Sequence, residues 1–174
     1  MPRQEKVYMI GFMGSGKTTR GAKLAGMLGW KFADLDRLVE ASAGMGIPEI
    51  FSVHGEEYFR NLESELLRSL GNEGSMVIST GGGTPCFSDN MDYMISTGLT
   101  VYLKLTPGQI RSRISGTGTE RPLIKDLDES SLLAFIEDKL ALREKWYNRA
   151  ELTVDGFDTD ISELCLAVKA RITD

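Results

Sequence analysis

Short apolar runs alternate along this chain with longer stretches whose apolar residues recur every three or four positions. Val7-Tyr8-Met9-Ile10 is the first run; it ends at a glycine, as a buried parallel strand would. Thr18 to Leu28 then carries Ala22, Leu24, Ala25 and Leu28 at helical spacing and closes on Gly29 as a cap. Lys31-Phe32-Ala33-Asp34 predicts a second strand that ends in acid, and Leu35 to Ala43 a helix, followed by the punctuation of Gly44, Gly46 and Pro48. Ile47 to Leu70 is helical with a break at Gly55, its apolar face set by Phe59, Leu62, Leu66 and Leu70. Met76-Val77-Ile78 predicts a third strand, Ser88 to Ser96 a short helix, and Leu99 to Leu103 a fourth strand. Pro107 stands at the first position of the next helix, Ser131 to Asn148 form a long one, Glu151 to Val154 a fifth strand, and a last helix follows.

One segment departs from this rhythm. Residues 116–130 are polar, contain glycine and show no periodicity, which predicts a mobile lid. The remainder predicts an α/β fold: a five-stranded parallel sheet with helices on both faces, one domain over residues 1–174, and ligands outside the carboxyl ends of the strands.

The 174 residues are 41% hydrophobic, enough for a single buried core and too apolar for a disordered chain. A net charge of −5 argues against nucleic-acid binding by bulk electrostatics, so a bound anion must be held by local geometry. No apolar run approaches the roughly 20 residues of a membrane span. Nor do the first six residues look like a secretory signal, and a cytoplasmic location is expected. Cys86 and Cys165 form no CxxC pair and are expected to be reduced; His54, the only histidine, has no partner at metal spacing, so neither a zinc site nor a His-based triad is expected. Without a heptad seam, a monomer is expected.

Chemistry enters at the first strand–helix junction. Gly11-Phe12-Met13-Gly14-Ser15-Gly16-Lys17-Thr18 matches G-x-x-x-x-G-K-[ST] at every fixed position, with a strand before it and a helix after. Backbone amides of such a loop wrap a polyphosphate on the helix N-terminus; Lys17 reaches the β- and γ-phosphates and the Thr18 hydroxyl takes a Mg²⁺ position. The chain therefore binds ATP or GTP. Asn-Lys-x-Asp and Asp-x-x-Gly, the marks of a GTPase switch, are both missing. The third strand ends in Ile78-Ser79-Thr80, with no acid for the metal. The nearest carboxylates are those of Asp34-Leu35-Asp36; if the second strand continues that far, i and i+2 share a face and both look into one cleft. Asp34 would then serve the metal and Asp36 an acceptor hydroxyl, whereas a helix-capping Asp34 beside a solvated Asp36 is the plain alternative. Arg60, with Glu63 at i+3 to orient it, Arg121 and Arg143 are the candidate anion-binding arginines.

In combination and in order, these segments resemble the shikimate kinase family. The phosphate loop with its Phe12-Met13 pair, Phe32 to Asp36, Ile50-Phe51 through Gly55 to Arg60 and Glu63, Ser79-Thr80-Gly81-Gly82-Gly83, Arg121-Pro122-Leu123, and Arg143 to Tyr147 carry the likeness. The resemblance implies a three-layer P-loop kinase fold with a lid over about 116–130 and a substrate-binding helical region over about 36–63. It implies transfer of the γ-phosphoryl group of ATP to the 3-hydroxyl of shikimate, in aromatic amino-acid biosynthesis. Gly14, Ser15, Gly16, Lys17, Thr18, Thr19, Arg113 and Arg121 would contact the nucleotide. Thr18, and Asp34 through water, would hold Mg²⁺. Asp36, Arg60, Gly81, Gly82, Gly83 and Arg143 would bind shikimate: Asp36 orients or deprotonates the hydroxyl, Glu63 holds Arg60, and the two arginines clamp the carboxylate. With Lys17 and Asp36, Arg121 would complete the catalytic set by closing with the lid on the transferring phosphate. On the residues alone, another small-molecule kinase such as a gluconate kinase, or a non-catalytic nucleotide-binding regulator, stays open.

Overall fold

The computed structural model describes residues 5–116, 124 and 126–172. Five strands, β1 (Lys6–Ile10), β2 (Lys31–Asp34), β3 (Met76–Ser79), β4 (Leu99–Lys104) and β5 (Leu152–Asp155), form one parallel sheet in the order β2-β3-β1-β4-β5. The register runs Val7 to Val77 and Val7 to Leu99, so the carboxyl ends of β1, β3 and β4 lie side by side.

Covering a parallel sheet on both faces calls for near-continuous apolar runs in its central strands, and β1 and β3 are buried at every residue, with the polar Lys6 and Ser79 only at their ends. Alternation along β1 divides the interior in two. Tyr8 and Ile10 join Leu35, Leu67, Met94, Ile136 and Tyr147 on one face. Val7 and Met9 join Leu24, Ala25, Leu164 and Val168 on the other. The second face is covered by α1 (Lys17–Leu28) and α7 (Ile161–Ile172), the first by α3 (Ile47–Ser69), α4 (Asn90–Thr97), α5 (Pro107–Gly116) and α6 (Glu129–Tyr147). A small third cluster of Val39, Ile50 and Phe59 packs α2 (Leu35–Ala43) against α3. Among the described residues no helix is long and apolar enough to cross a membrane.

Every predicted strand and helix is present, with ends shifted by three residues at most. The short helix begins at Asn90, not Ser88, because Ser88 has φ 50°, outside the right-handed helical region. At the other end of the aperiodic segment, Glu129 and Ser130 are already helical: the Asp128 carboxylate accepts from the Ser131 amide at 2.7 Å and caps α6. That part of the lid expectation is corrected. Residues 117–123 and 125, which include Arg121, lie outside the described residues.

The break in α3 falls where it is expected. Gly55 has φ 86° and ψ 169°, a conformation open to glycine alone, and it turns the first part of the helix away from the part that carries Arg60. Nothing lies within 4 Å of a Cβ built there, so Gly55→Ala tests the backbone and no clash. It should destabilise the protein by about 1–3 kcal/mol, seen as a lower Tm in thermal unfolding.

Candidate active site

The loop Gly11–Gly16 leads from β1 into α1, whose first residue is Lys17. The buried Lys17 ammonium donates to the carbonyls of Gly11 at 2.8 Å and Phe12 at 2.9 Å, which folds the side chain back over its own loop. Thr18 follows; its hydroxyl donates to Asp34 Oδ2 at 2.9 Å and lies 3.2 Å from Ser79 Oγ.

The two acids come together by a different route from the one expected. The strand stops at Asp34, which caps α2: its Oδ1 accepts from the amides of Asp36 at 3.0 Å and Arg37 at 3.3 Å. An Asp ahead of an apolar periodic stretch prefers this role to another residue of strand, so the i, i+2 argument fails. Asp34 nevertheless does both jobs, capping with one oxygen and meeting Thr18 with the other. Asp36 reaches the cleft from the first turn of α2. Burial pushes its carboxyl above the ordinary value; the Lys17 ammonium opposes this, Asp34 and Glu40 add to it, and Arg60 opposes it again.

Opposite stands Arg60, whose Nη1 donates to Glu63 Oε1 at 2.8 Å while the guanidinium lies 5.0 Å from the Phe59 ring centre. Glu63 is fully buried, and its other oxygen accepts from the Thr84 hydroxyl at 2.9 Å. Burial raises the Glu63 carboxyl, and the charge and hydrogen bond of Arg60 bring it back down.

Between these groups runs Gly81-Gly82-Gly83, after β3. A Cβ on Gly83 would meet the Arg60 guanidinium carbon at 2.7 Å, and one on Gly82 would meet Arg143 Nη1 at 3.0 Å. Only glycine lets both guanidiniums lie this close to the backbone. Arg143, on α6, also faces the Phe12 ring at 5.5 Å, which ties it to the phosphate loop.

A cavity of about 640 Å³ opens over this arrangement. Of the predicted residues, Gly14, Gly16, Lys17, Thr18, Thr19, Asp36, Arg60, Gly81, Gly82, Gly83 and Arg143 line it. Ser15, within the loop, is fully buried, and its hydroxyl has no partner among the described residues. Asp34 stands behind Thr18. Arg113 is elsewhere: its guanidinium donates to the carbonyls of Ser15 and Gly156, each at 2.9 Å, stapling the phosphate loop to the turn after β5. The apolar wall of Ile47, Pro48, Phe51 and Phe59 falls inside the 36–63 region that the resemblance gives to the substrate, though no individual role is predicted for these four, nor for the buried Thr84 and Tyr147. For Tyr147 a signal existed: it lies four residues after Arg143, one helical turn on.

A phosphate loop at the carboxyl edge of a parallel sheet, with a buried acid and paired arginines across from it, is the arrangement of a P-loop kinase for a small acidic acceptor. Residues 13–172 match the family model for shikimate kinase, and the chain belongs to that family. It is accordingly an ATP-dependent phosphotransferase. A shikimate kinase of Parabacteroides distasonis is 39% identical over 152 residues, spanning 87% of this chain and 88% of the relative. The crystal structure of shikimate kinase from Bacteroides thetaiotaomicron superposes with a TM-score of 0.89 at 32% identity, covering 97% of this chain and 98% of that one. That of Acinetobacter baumannii shikimate kinase in complex with shikimate gives 0.85 at 29% identity, covering 99% and 94%.

Proposed function

We propose that the protein transfers the γ-phosphoryl group of ATP to the 3-hydroxyl of shikimate, with the cavity holding donor and acceptor together. The observation that carries this is the sharing of one cavity by Lys17 and Thr18 on one side and Asp36, Arg60 and Arg143 on the other. Phosphoryl transfer asks for alignment and charge neutralisation more than for covalent chemistry, and this set offers both.

Lys17 exchanges two carbonyl partners for the β- and γ-phosphates, whose charge is the stronger attraction. Arg60 and Arg143 bind the shikimate carboxylate, for which the planar guanidinium is suited. Asp36 accepts a hydrogen bond from the acceptor hydroxyl and turns its oxygen lone pair toward the γ-phosphorus. Its raised proton affinity makes it a better acceptor for the proton released as the new P–O bond forms. Thr18 and Asp34 would hold Mg²⁺: a hydroxyl and a carboxylate are hard oxygen donors, and the Ser79 hydroxyl lies beside them. When bound, Mg²⁺ supplies neutralisation of phosphate charge. Thr19 and the amides of Gly14, Ser15 and Gly16 complete the nucleotide side. Arg113 frames the nucleotide from outside the cavity, and Arg121 acts on the transferring phosphate. Residues 1–174 work as one domain, a cytoplasmic monomer without nucleic-acid or membrane partners.

The decisive measurement is ADP release in the presence of ATP and Mg²⁺ with shikimate, gluconate or AMP in turn. Turnover should depend on shikimate and stay near background with the other two. ATP consumption that proceeds equally without shikimate, or faster with gluconate, overturns the proposal.

A further inference from the structure

Tyr147 is the last residue of α6 and is fully buried, its ring 5.1 Å from that of Tyr102. A phenol in such a place needs a partner for its hydroxyl. Its acceptor is a backbone atom of the site: Tyr147 Oη donates to the Gly82 carbonyl at 2.5 Å, across 65 residues of sequence. The same hydroxyl meets the side chain of Arg143, one turn earlier on the helix. Gly82 itself is closely enclosed. A Cβ there would lie 3.0 Å from Arg143 Nη1, 3.5 Å from the Met13 amide nitrogen and 3.7 Å from the Gly11 carbonyl oxygen. The middle of the glycine loop is thus held between the phosphate loop and the arginine of α6, and Tyr147 is the side chain that fixes its carbonyl.

The consequence follows from the planarity of the peptide. In a trans unit the C=O of one residue and the N–H of the next point in opposite directions, and among the described residues no peptide bond is cis. With the Gly82 carbonyl drawn inward to Tyr147, the Gly83 N–H is turned the other way, away from the core and toward the cavity that Gly82 and Gly83 line. Neither the Gly82 nor the Gly83 amide has a hydrogen-bond partner among the described residues. Donors left unpaired beside a cavity are available to a ligand.

We infer that Tyr147 is a positioning residue for the acceptor: by holding the Gly82 carbonyl and Arg143 together, its hydroxyl aims the glycine-loop amides and the arginine at one acidic, hydroxylated substrate. The inference rests on the function proposed above and adds a residue to it. Tyr147 exchanges no proton in the reaction. Burial pushes its phenol well above the ordinary tyrosine value, so the hydroxyl remains a donor throughout the working range.

Tyr147→Phe removes the hydroxyl and keeps the ring. A mis-set peptide and arginine should cost roughly 5- to 20-fold in kcat/KM for shikimate, mostly through a raised KM, with KM for ATP unchanged within about twofold. The loss should be the same at every pH from 6 to 9. Tyr102→Phe is the control, since it deletes a hydroxyl from the same ring pair without touching Gly82; it should leave KM for shikimate where it was. Equal effects of both variants, a deficit shared by ATP, or one confined to a limb of the pH profile would overturn the inference. The wild-type protein supplies a test that no variant can spoil by misfolding. On adding shikimate alone, the backbone amide resonances of Gly82 and Gly83 should shift and their exchange with solvent should slow. Unmoved Gly82 and Gly83 resonances at saturating shikimate would also overturn it. A wild-type protein without shikimate-dependent turnover, by contrast, would refute the function itself.

Discussion

Asp36→Asn should reduce kcat by roughly 10²–10⁴-fold and raise Tm at the same time. The two side chains are nearly the same shape, so positions across the cavity are preserved. What is lost is an anionic acceptor for the hydroxyl proton. The gain in stability follows from the direction in which the site perturbs this carboxyl. Burial raises it above the ordinary 3.8 despite Lys17 and Arg60. A group that holds its proton more tightly folded than unfolded stabilises the fold below its unfolded value, and that contribution is lost as pH rises through the folded one. At neutral pH, then, the ionised Asp36 is a net burden on the fold, and a neutral amide removes it. An increase of about 2–4 °C is expected, readable by calorimetry. The same perturbation predicts an acid limb in the pH–kcat profile above the ordinary carboxylate range, absent from the residual activity of the variant. A variant that kept most of its activity would point to an acceptor that brings its own negative charge, such as a monophosphate, which has no need of an acid here.

The parts of this site legible in the sequence are those whose partners are close in the chain. The phosphate loop is complete within eight residues, and the strand and helix that confirm it adjoin it. Arg60 and Glu63 are three residues apart on one helix and form the pair that their spacing suggests. Asp34 and Asp36 were legible as residues but not as geometry. A two-residue spacing suits one face of a strand, yet the capping preference of Asp34 ended the strand there, and a helical turn carries Asp36 into the cavity instead. Arg143 has no local signal, since what marks it is Phe12 and Gly82, each more than 60 residues away. Thr84 is hidden for the same reason: its meaning lies in a hydrogen bond to Glu63, 21 residues earlier. Arg113 is expected at the nucleotide, but what the structure shows is a brace between loops, its guanidinium donating to the carbonyls of Ser15 and Gly156, which lie 98 and 43 residues away in sequence. The start of α6 was obscured by polar residues, although Asp128-Glu129-Ser130-Ser131 holds a capping aspartate that could have been read.

The largest effect on both binding and stability is expected at Arg60. Its side chain is 15% exposed and that of its partner Glu63 is wholly buried, so neither is hydrated as a surface pair would be. Removing the cation from a buried pair leaves an uncompensated charge, and Arg60→Leu should destabilise the protein by about 3–5 kcal/mol, or roughly 10 °C in Tm. In kcat/KM for shikimate the loss should exceed about 100-fold, because one half of the carboxylate clamp has gone as well. These two losses have separate causes and can be separated. Adding Glu63→Gln to Arg60→Leu neutralises the stranded acid, while its amide oxygen still accepts from Thr84. The double variant should recover half or more of the stability and none of the activity. pH divides them again. Without Arg60 the Glu63 carboxyl rises further above its ordinary value, so the single variant should regain stability as pH falls from 8 to 5, and the double variant should not. A single variant that melts like the wild type at both pH values would mean that Glu63 does not depend on Arg60 for its charge. Stability and activity restored together in the double variant would mean that Arg60 serves the fold and leaves the acid to Arg143.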